Sequence, residues 1–394
     1  MNIILFDDSC RINLLPLTFT RPVANLRIGI LTIAEKWEKH LKSKVSFLTE
    51  AYLQEKFPCY ISDINLLING SVCPDNDLLE ALDKINEGES LFYNDILIAI
   101  KLNQQDTTGF SYLKTQSYKP FQYPKDITRI EFPESIFRLN DLELRQDFAL
   151  LTAGKSSFNI SSTNTIIGED IFVEEGVESE CATFNSKYGP IYLGRNSSIW
   201  EGSHIRGSFA LGEDSQVKMG AKIYGQTTIG PHCRVGGEIN NSVIWGNSSK
   251  GHEGYLGNAV LGEWCNIGAD SNNSNLKNNY ADVRLWDYKK ENFRKTGLQF
   301  CGLIMADHSK CAINTMFNTG TVVGVSANIF GAGFTRNFIP DFSWGGSGGY
   351  DCYTLEKMFE TATKVFERRN AVFNDVDKRM LTNVYELTKK YRRF

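Results

Sequence analysis

One histidine of the chain has neighbours that suggest general-base catalysis. His252 lies in the segment KGHEGY (residues 250–255), where glycines favour a turn and Lys250 and Tyr255 flank the imidazole. An imidazole titrates near neutral pH, so it can take a proton from an amine or a hydroxyl group. A single histidine in a loop is more often structural or simply exposed. At this point both interpretations of His252 stay open.

The other histidines show no metal-ligand pattern. His40 lies on a predicted amphipathic helix, where we expect a structural role. Successive separations along His204, His232, His252 and His308 are 28, 20 and 56 residues. A histidine zinc site would need a closer pair. We therefore expect no metal in this part of the chain.

Residues 1–150 have the pattern of an α/β domain. Short apolar stretches predict strands at residues 3–6, 45–48, 66–69 and 91–102, and helical periodicity predicts helices at residues 28–41, 78–85 and 136–149. Strands that alternate with helices are typical of a mainly parallel, layered sheet.

Residues 151–345 are predicted to form a hexapeptide solenoid, because aliphatic residues recur at every sixth position. These are Leu193, Ile199, Ile205, Leu211, Val217, Ile223, Ile229 and Val235, and the same spacing of six returns between Leu261 and Ile267 and between Val323 and Ile329. A period of six fits neither an amphipathic helix nor an alternating strand. It fits short strands that form the sides of a triangular coil, with the aliphatic side chain inside and small residues at the corners.

Several segments depart from this period. Residues 240–255 and 274–303 are predicted to be interruptions, and the second is long enough to project from the coils as a loop. The glycine-rich residues 345–349 predict a flexible hinge. Residues 350–394 are expected to be a helical extension used for packing or oligomerisation.

The composition excludes several classes of partner. The 394 residues suit two or three domains, and a net charge of -4 makes nucleic acid a poor candidate. No apolar run reaches the roughly 18–20 residues that span a bilayer, and the N-terminus is expected to be a buried strand rather than a signal peptide. Nine cysteines without CxxC spacing favour a reduced compartment, and we expect a cytoplasmic protein.

The segments HEGYLGNA (residues 252–259) and NIGA (residues 266–269) resemble the acetyltransferase half of the bifunctional enzymes that make UDP-N-acetylglucosamine. The resemblance implies a left-handed parallel β-helix that forms a homotrimer with sites between adjacent subunits. It also implies acetyl transfer from acetyl-CoA to the amine of glucosamine 1-phosphate. His252 would then be the general base. The implied binding residues are Tyr255, Asn266 and Asn275 for the sugar and Ala269 beside the acetyl-CoA path.

Three positions depart from that family. Asn258 replaces an aspartate, and Leu276 replaces a tyrosine that Tyr280 could supply instead. The lysine pair that binds the sugar phosphate in the family corresponds to asparagines at residues 240–241. The resemblance therefore leaves Lys250 or Lys277 to bind the phosphate.

The N-terminal segment resembles sugar-phosphate nucleotidyltransferases. Arg11, the segment PLT (residues 16–18) and Pro22 match that family in type and spacing. The resemblance implies that Arg11 and Arg21 contact a nucleotide, with Asp75 as a substitute metal ligand and Mg²⁺ needed only if this domain is active. The glycines that let backbone N–H groups approach a phosphate are replaced by acidic residues at positions 7–8, which repel it. Val23 stands where the family has a lysine.

The whole chain resembles a divergent bacterial branch of the bifunctional family, whose members are described as sugar nucleotidyltransferases or glucose-1-phosphate thymidylyltransferases. Acetyl transfer to an amino-sugar phosphate is the favoured function. Nucleotidyl transfer between a nucleoside triphosphate and a sugar 1-phosphate is the alternative. A third possibility is a trimeric scaffold that binds a sugar phosphate without catalysis.

Overall fold

The computed structural model describes residues 2–114 and 118–394, and its chain divides into two compact units. The first unit contains Met1–Leu14, Thr20–Leu26 and Leu31–Phe132, and the second contains Leu15–Phe19, Arg27–Ile30 and Pro133–Phe394. The fold class is the expected one: an α/β domain, a left-handed parallel β-helix of hexapeptide repeats and C-terminal helices. The finer division at residues 150 and 345–350 stays a prediction.

The first unit is built on a six-stranded sheet. Its strands are β1 (Asn2–Phe6), β2 (Val45–Leu48), β3 (Ile64–Asn69), β4 (Glu89–Tyr93), β5 (Ile96–Asn103) and β6 (Lys119–Gln122), and its helices are α1 (Ile33–Leu41), α2 (Asn76–Leu82) and α3 (Gln104–Thr108). The strand order is β2-β1-β3-β5-β4-β6. The carboxyl ends of the central parallel strands β1 and β3 therefore lie side by side.

Two local features differ from the sequence-based expectation. The stretch 91–102 is a hairpin rather than one strand, because Asn94 adopts a positive φ of 51° and reverses the chain between β4 and β5. This hairpin makes the sheet mixed, since β5 is antiparallel to both of its neighbours. Helix α1 begins at Ile33 instead of residue 28, because the Thr32 hydroxyl accepts a hydrogen bond from the Glu35 amide and caps the helix.

The main segment of the second unit starts with the long helix α4 (Pro133–Thr152) and continues as a three-sided parallel β-helix. The first face contains β7 (Thr165–Ile167), β10 (Thr183–Asn185), β13 (His204–Arg206), β16 (Lys222–Tyr224), β19 (Glu238–Asn240) and β22 (Tyr255–Gly257), followed by the pair β25 (Asn272–Asn273) and β30 (Met316–Phe317). The second contains β8 (Ile171–Val173), β11 (Ile191–Leu193), β14 (Phe209–Leu211), β17 (Thr227–Ile229), β20 (Val243–Ile244), β23 (Val260–Leu261), β28 (Ile304–Met305), β31 (Val322–Val323) and β33 (Phe338–Ile339). The third contains β9 (Glu178–Ser179), β12 (Ser198–Ile199), β15 (Gln216–Val217), β18 (Arg234–Val235), β21 (Ser249–Lys250), β24 (Asn266–Ile267), β29 (Lys310–Cys311), β32 (Asn328–Ile329), β34 (Ser343–Gly346) and β35 (Gly349–Cys352).

The aliphatic residues with a period of six form the core of the β-helix. All twelve of them belong to one buried cluster, and none is more than 5% exposed. Paired residues of successive coils lie directly above one another, as Leu211 and Ile229 do on the second face. Each coil thus places one aliphatic side chain per face against those of its neighbours, which is the arrangement that the period predicts.

The predicted interruption at residues 240–255 is wrong, because these residues continue all three faces as β20, β21 and β22. Ile244 pairs with Ile229, only 15 positions earlier, whereas Ile229 pairs with Leu211 at a distance of 18 positions. The next coil, from Ile244 to Leu261, is also short, with 17 positions. Two successive short coils therefore shift the phase of the aliphatic pattern without breaking the sheets. The period alone cannot distinguish such a coil from a loop.

The two later irregular segments differ from each other. The insertion at residues 274–303 contains an antiparallel hairpin of β26 (Arg284–Asp287) and β27 (Asn292–Lys295), so the coils are interrupted here as expected. The glycine-rich residues 345–349 are not a hinge. They connect β34 to β35 as an antiparallel hairpin, in which Gly346 pairs with Gly349 and the φ of Gly349 is 133°. Glycine is needed at such a turn because a side chain would be strained there.

The C-terminal segment forms two helices, α5 (Leu355–Glu367) and α6 (Asp375–Leu387). Both present an apolar face, and Phe366 of α5 stacks on Trp264 of the β-helix with a centroid distance of 3.7 Å. His308 lies buried in the same aromatic group. Among the described residues, no helix has both the length and the apolar character required to span a membrane.

Candidate functional site

The candidate base His252 lies on the exposed turn between β21 and β22. The strand before this turn ends in Lys250, which pairs with the core residue Val235 and is only 1% exposed. Its ammonium group donates hydrogen bonds to the carbonyl oxygens of Gly236, at 2.9 Å, and His252, at 2.6 Å. Lys250 thus holds the backbone of the His252 turn from inside the β-helix.

Burial has an electrostatic consequence for this lysine. Removal of the ammonium group from water disfavours its charged form and lowers the pKa of Lys250 to about 8. The carboxylate of Glu253 opposes this shift by favouring the cation. The ammonium group of Lys250 is used by backbone carbonyl oxygens, which leaves Lys277 as the other predicted phosphate ligand. Lys277 is half-buried, and its ammonium group donates to the carbonyl of Asp282 at 2.9 Å.

A cluster of polar side chains lies immediately after the His252 turn. The side-chain amide of Asn275 donates to the Tyr255 hydroxyl at 2.9 Å and to the side-chain oxygen of Asn258 at 2.7 Å. We call Tyr255, Asn258 and Asn275 the amide–tyrosine cluster. A Cβ atom on Gly257 would lie 2.2 Å from the Tyr255 hydroxyl oxygen, so only glycine leaves room for this ring.

Two further asparagines support the cluster and are not suggested by the sequence patterns. Asn273 accepts from the Gly257 amide at 2.8 Å and donates to the Gly257 carbonyl at 2.9 Å. Asn272 accepts from the Tyr255 amide at 2.7 Å. These side chains replace a strand partner, because within residues 2–114 and 118–394 no strand is hydrogen-bonded to β22 on the side away from β19. The asparagine-rich run at residues 272–275 is the signal that could have identified them.

The remaining predicted residues of the β-helix lie near this turn but outside the cluster. Asn266 is exposed on β24, where it pairs with Ser249 of the strand that leads to His252. Ala269 is half-buried, and its carbonyl accepts from the Asn314 amide at 2.8 Å. The structure thus brings Tyr255, Asn258 and Asn275 into direct contact. It places the exposed imidazole of His252 one turn before them.

The first unit contains a second polar cluster at the carboxyl ends of β1 and β3, where α/β sheets commonly bind ligands. Asp8 accepts hydrogen bonds from the Arg129 guanidinium at 2.7 Å, the Asn69 side-chain amide at 2.9 Å and the Cys10 backbone amide at 2.9 Å. Burial alone would raise the pKa of Asp8, but Arg129 and these hydrogen bonds outweigh it, and the pKa is lowered. Asp8 is therefore ionised, and its carboxylate accepts hydrogen bonds from three groups.

Its neighbour Asp7 has the opposite electrostatic environment. Burial raises the pKa of Asp7 to about 6, although hydrogen bonds from the Thr49 hydroxyl and the Val23 amide and the charge of Arg11 act against the shift. Arg11 also donates to the Tyr52 hydroxyl at 2.9 Å and lies 3.5 Å from the Glu50 carboxylate. The two adjacent aspartates therefore differ in charge state near pH 5.

The carboxylates of Asp7, Asp8 and Asp75 do not fit a Mg²⁺ ion in this arrangement. The Asp8 carboxylate already accepts three hydrogen bonds. Asp7 favours its protonated form more than an exposed carboxyl group does. Asp75 accepts from the Leu78 amide at 2.8 Å and so serves as the N-cap of α2. Arg21, the other predicted nucleotide ligand, is only 8% exposed. Magnesium prefers carboxylate oxygens that are free to coordinate it.

Comparison with known proteins gives one family match. Residues 3–156 match the model of a family described as sugar nucleotidyl transferase. No curated protein matches the chain significantly.

Two solved structures align with most of their own length but superpose poorly. A UDP-N-acetylglucosamine acyltransferase of Arabidopsis is 17% identical, with 59% of this chain and 91% of that chain covered and a TM-score of 0.22. A hexapeptide transferase family protein from Anaplasma phagocytophilum is 16% identical, with 59% and 92% covered and a TM-score of 0.18. The assignment of the β-helix therefore rests on its own strand pairing.

Proposed function

We propose that this chain is an enzyme of sugar-nucleotide biosynthesis that transfers an acetyl group from acetyl-CoA to the amine of an amino-sugar 1-phosphate. Glucosamine 1-phosphate is the acceptor that the sequence resemblance implies. The observation that carries the proposal is the exposed imidazole of His252 on a turn whose backbone is held by Lys250, directly before the amide–tyrosine cluster.

The proposed reaction needs one general base. The amine nitrogen of the sugar attacks the thioester carbonyl carbon, an N–C bond forms, and His252 takes a proton from that nitrogen. The resulting oxyanion is stabilised by backbone N–H donors of the coils. Collapse of the tetrahedral intermediate breaks the C–S bond, and the imidazolium returns its proton to the departing thiolate. The products are the N-acetylated sugar phosphate and free CoA.

The surrounding residues have binding roles in this proposal. Tyr255, Asn266 and Asn275 contact sugar hydroxyl groups, and Lys277 contacts the phosphate. Ala269 lies beside the path of acetyl-CoA. Hydroxyl and amide groups suit a sugar because each can both donate and accept hydrogen bonds. We further propose a homotrimer, in which an adjacent subunit completes each site.

Release of free CoA from acetyl-CoA, measured across a panel of amino-sugar 1-phosphates, tests this function. His252→Ala is expected to reduce the rate by about 10²–10⁴-fold, the usual contribution of a general base. His204→Ala is the matched control, since His204 is also exposed on the β-helix. Unchanged turnover in His252→Ala would overturn the proposal. If a sugar phosphate stabilises the protein but no acceptor is acetylated, a non-catalytic scaffold is favoured instead.

Nucleotidyl transfer by the N-terminal part of the chain is a second candidate function, and the family match over residues 3–156 favours it. The reaction would join a nucleoside triphosphate to a sugar 1-phosphate and release pyrophosphate. We expect Arg11→Gln to lower pyrophosphate release and His252→Ala to leave it unchanged. Absence of pyrophosphate release with every nucleoside triphosphate tested would eliminate this candidate while leaving acetyl transfer intact.

A further inference from the structure

The second unit contains a cavity that the proposed acyl-transfer site does not use. It has a volume of about 230 Å³ and lies against the β26–β27 hairpin, the last coil of the β-helix and the C-terminal residues. Its walls include Trp286, Arg336, Phe338, Tyr350, Tyr391 and Arg393. The insertion that interrupts the hexapeptide coils therefore supplies one wall of this cavity.

The apolar side of the cavity is an ordered aromatic surface. Trp286 stacks on Phe338 with a centroid distance of 4.1 Å and an interplanar angle of 10°. Tyr391 meets Phe338 edge-to-face with a centroid distance of 6.2 Å. The indole N–H of Trp286 is buried and has no acceptor among residues 2–114 and 118–394. These contacts hold the rings in fixed orientations at the cavity wall.

The charged side of the cavity is positive. Arg336 is exposed, and its guanidinium lies 5.8 Å from the centroid of the Tyr350 ring. Across the described parts of the chain, Arg336 makes no ion pair with a carboxylate. The acidic wall residue Glu291 is already paired with Lys390, and that hydrogen bond lowers the pKa of Glu291. Arg336 and Arg393 therefore leave an excess of positive charge beside the aromatic surface.

We propose that this cavity binds a nucleoside phosphate, with the base against the aromatic wall and the phosphate at Arg336 and Arg393. The volume is below the roughly 300 Å³ of pockets that enclose drug-sized ligands. It has room for the ring system, whereas the phosphate stays at the rim, where both arginines are exposed. Guanidinium groups pair readily with phosphate oxygens and also stack on aromatic rings.

A nucleoside phosphate could come from two sources, a free nucleotide or the nucleotide end of a coenzyme such as CoA. Titration calorimetry of the full chain with ADP, adenosine, inorganic phosphate and CoA separates them. We expect ADP to bind about tenfold more tightly than adenosine or inorganic phosphate, because only ADP uses both sides of the cavity. Binding of CoA and not of ADP, weakened by Arg336→Gln and Arg393→Gln, would assign the cavity to the coenzyme rather than to a free nucleotide.

Three arginine variants complete the test. Arg336→Gln and Arg393→Gln are each expected to weaken the binding of ADP, or of CoA if the coenzyme is the ligand, by about tenfold. Arg195→Gln, at an exposed position elsewhere on the β-helix, is expected to have no effect. Equal affinities in all three variants, or ADP and CoA binding no tighter than inorganic phosphate, would refute the proposal. His252→Ala is expected to retain this binding, so failure of the acetyl-transfer hypothesis is distinguishable from failure here.

Discussion

The ammonium nitrogen of Lys250 lies 2.6 Å from the carbonyl oxygen of His252, inside a β-helix whose other core residues are mainly aliphatic. A buried charge is costly unless polar groups compensate it. Here it receives two backbone carbonyl oxygens, one of which belongs to the proposed general base. Lys250 therefore connects the packing of the core to the geometry of the His252 turn.

Replacement of Lys250 by methionine separates stability from activity. Methionine fills a similar volume without a buried charge, so we expect Lys250→Met to fold with no loss of unfolding free energy at pH 7. We expect kcat for acetyl transfer to fall, because the His252 turn loses its internal hydrogen bond. Chemical denaturation and the CoA-release assay measure the two effects. A variant with full activity would show that Lys250 does not position His252.

The same variant tests the pKa of Lys250. The pKa is lowered to about 8 in the folded state, from an ordinary value of 10.5, so between these values the unfolded chain binds more protons. The folded state therefore gains stability as pH rises from 8 to 10.5, by as much as about 3 kcal/mol. Denaturation at several pH values should show a smaller gain in Lys250→Met than in the wild type. Equal gains in both proteins would contradict the lowered pKa of Lys250.

Substitution of Gly257 tests the placement of Tyr255. In Gly257→Ala the new methyl group would displace the Tyr255 ring and break its hydrogen bond with Asn275. We expect a loss of about 1–3 kcal/mol in unfolding free energy and a larger change in the KM of the acceptor sugar than in kcat. Gly348→Ala is the control, since no atom lies within 4 Å of a Cβ there. Similar kinetics in the two variants would exclude Tyr255 from sugar binding.

The adjacent aspartates of the first unit should respond oppositely to neutralisation. Burial raises the pKa of Asp7 to about 6, so at pH 7 the folded state holds an ionised carboxylate that burial destabilises, and Asp7→Asn should increase stability at pH 7 by up to about 3 kcal/mol. Stability from Asp7 declines as pH rises from 4 to 6 because the folded state binds more protons in that range. Denaturation of wild type and Asp7→Asn at pH 4 and pH 7 measures this difference.

Asp8→Asn should instead reduce stability at pH 7 by about 2 kcal/mol, because Arg129 loses a charged partner. The lowered pKa of Asp8 means that this contribution is present above pH 4 and disappears as pH falls through the folded-state pKa. Thermal or chemical denaturation at pH 7 should therefore find Asp7→Asn the most stable protein, the wild type intermediate and Asp8→Asn the least stable. The reverse order of stability would contradict both the raised pKa of Asp7 and the lowered pKa of Asp8.

A buried ion pair connects helix α4 to the inserted hairpin within the second unit. Arg294 donates two hydrogen bonds of 2.6 Å to the Glu134 carboxylate, which is 3% exposed. Arg294→Met should cost about 3–5 kcal/mol in unfolding free energy, because it leaves a buried carboxylate without its partner. Lys378→Met removes an exposed pair with Asp375 and should change stability by less than about 1 kcal/mol. Comparable losses would mean that the Glu134 pair is solvated.

The period-of-six pattern predicts the β-helix because it repeats the same environment at each coil. Residues such as Ile199 and Ile223 are aliphatic wherever the chain turns a side chain into the core, and the structure buries them as expected. The pattern fails at residues 240–255, where a coil of 15 positions changes the phase while the pairing continues. Periodicity reports burial at regular spacing, whereas strand pairing tolerates a change of spacing.

The mixed sheet of the first unit also shows that local sequence patterns do not determine how strands pair. Strands and helices follow from local apolar patterns, but the direction of β5 depends on the turn at Asn94 and on pairing with β3, a strand about 30 residues earlier. Likewise, the sequence neighbours Asp7 and Asp8 acquire opposite pKa shifts. Burial raises the pKa of Asp7, whereas Arg129, which lies far along the chain, and the hydrogen bonds to Asp8 outweigh burial and lower the pKa of Asp8.

The sequence by itself therefore determined the class of fold and the turn that carries His252. Only the tertiary structure decided that Lys250 is turned inward and that Asn275 bonds to Tyr255, 20 residues before it. The physical reason is that hydrophobic periodicity arises from each residue's own burial, while these contacts depend on how many residues each coil uses. The stacking of coils that differ in length determines which side chains come into contact.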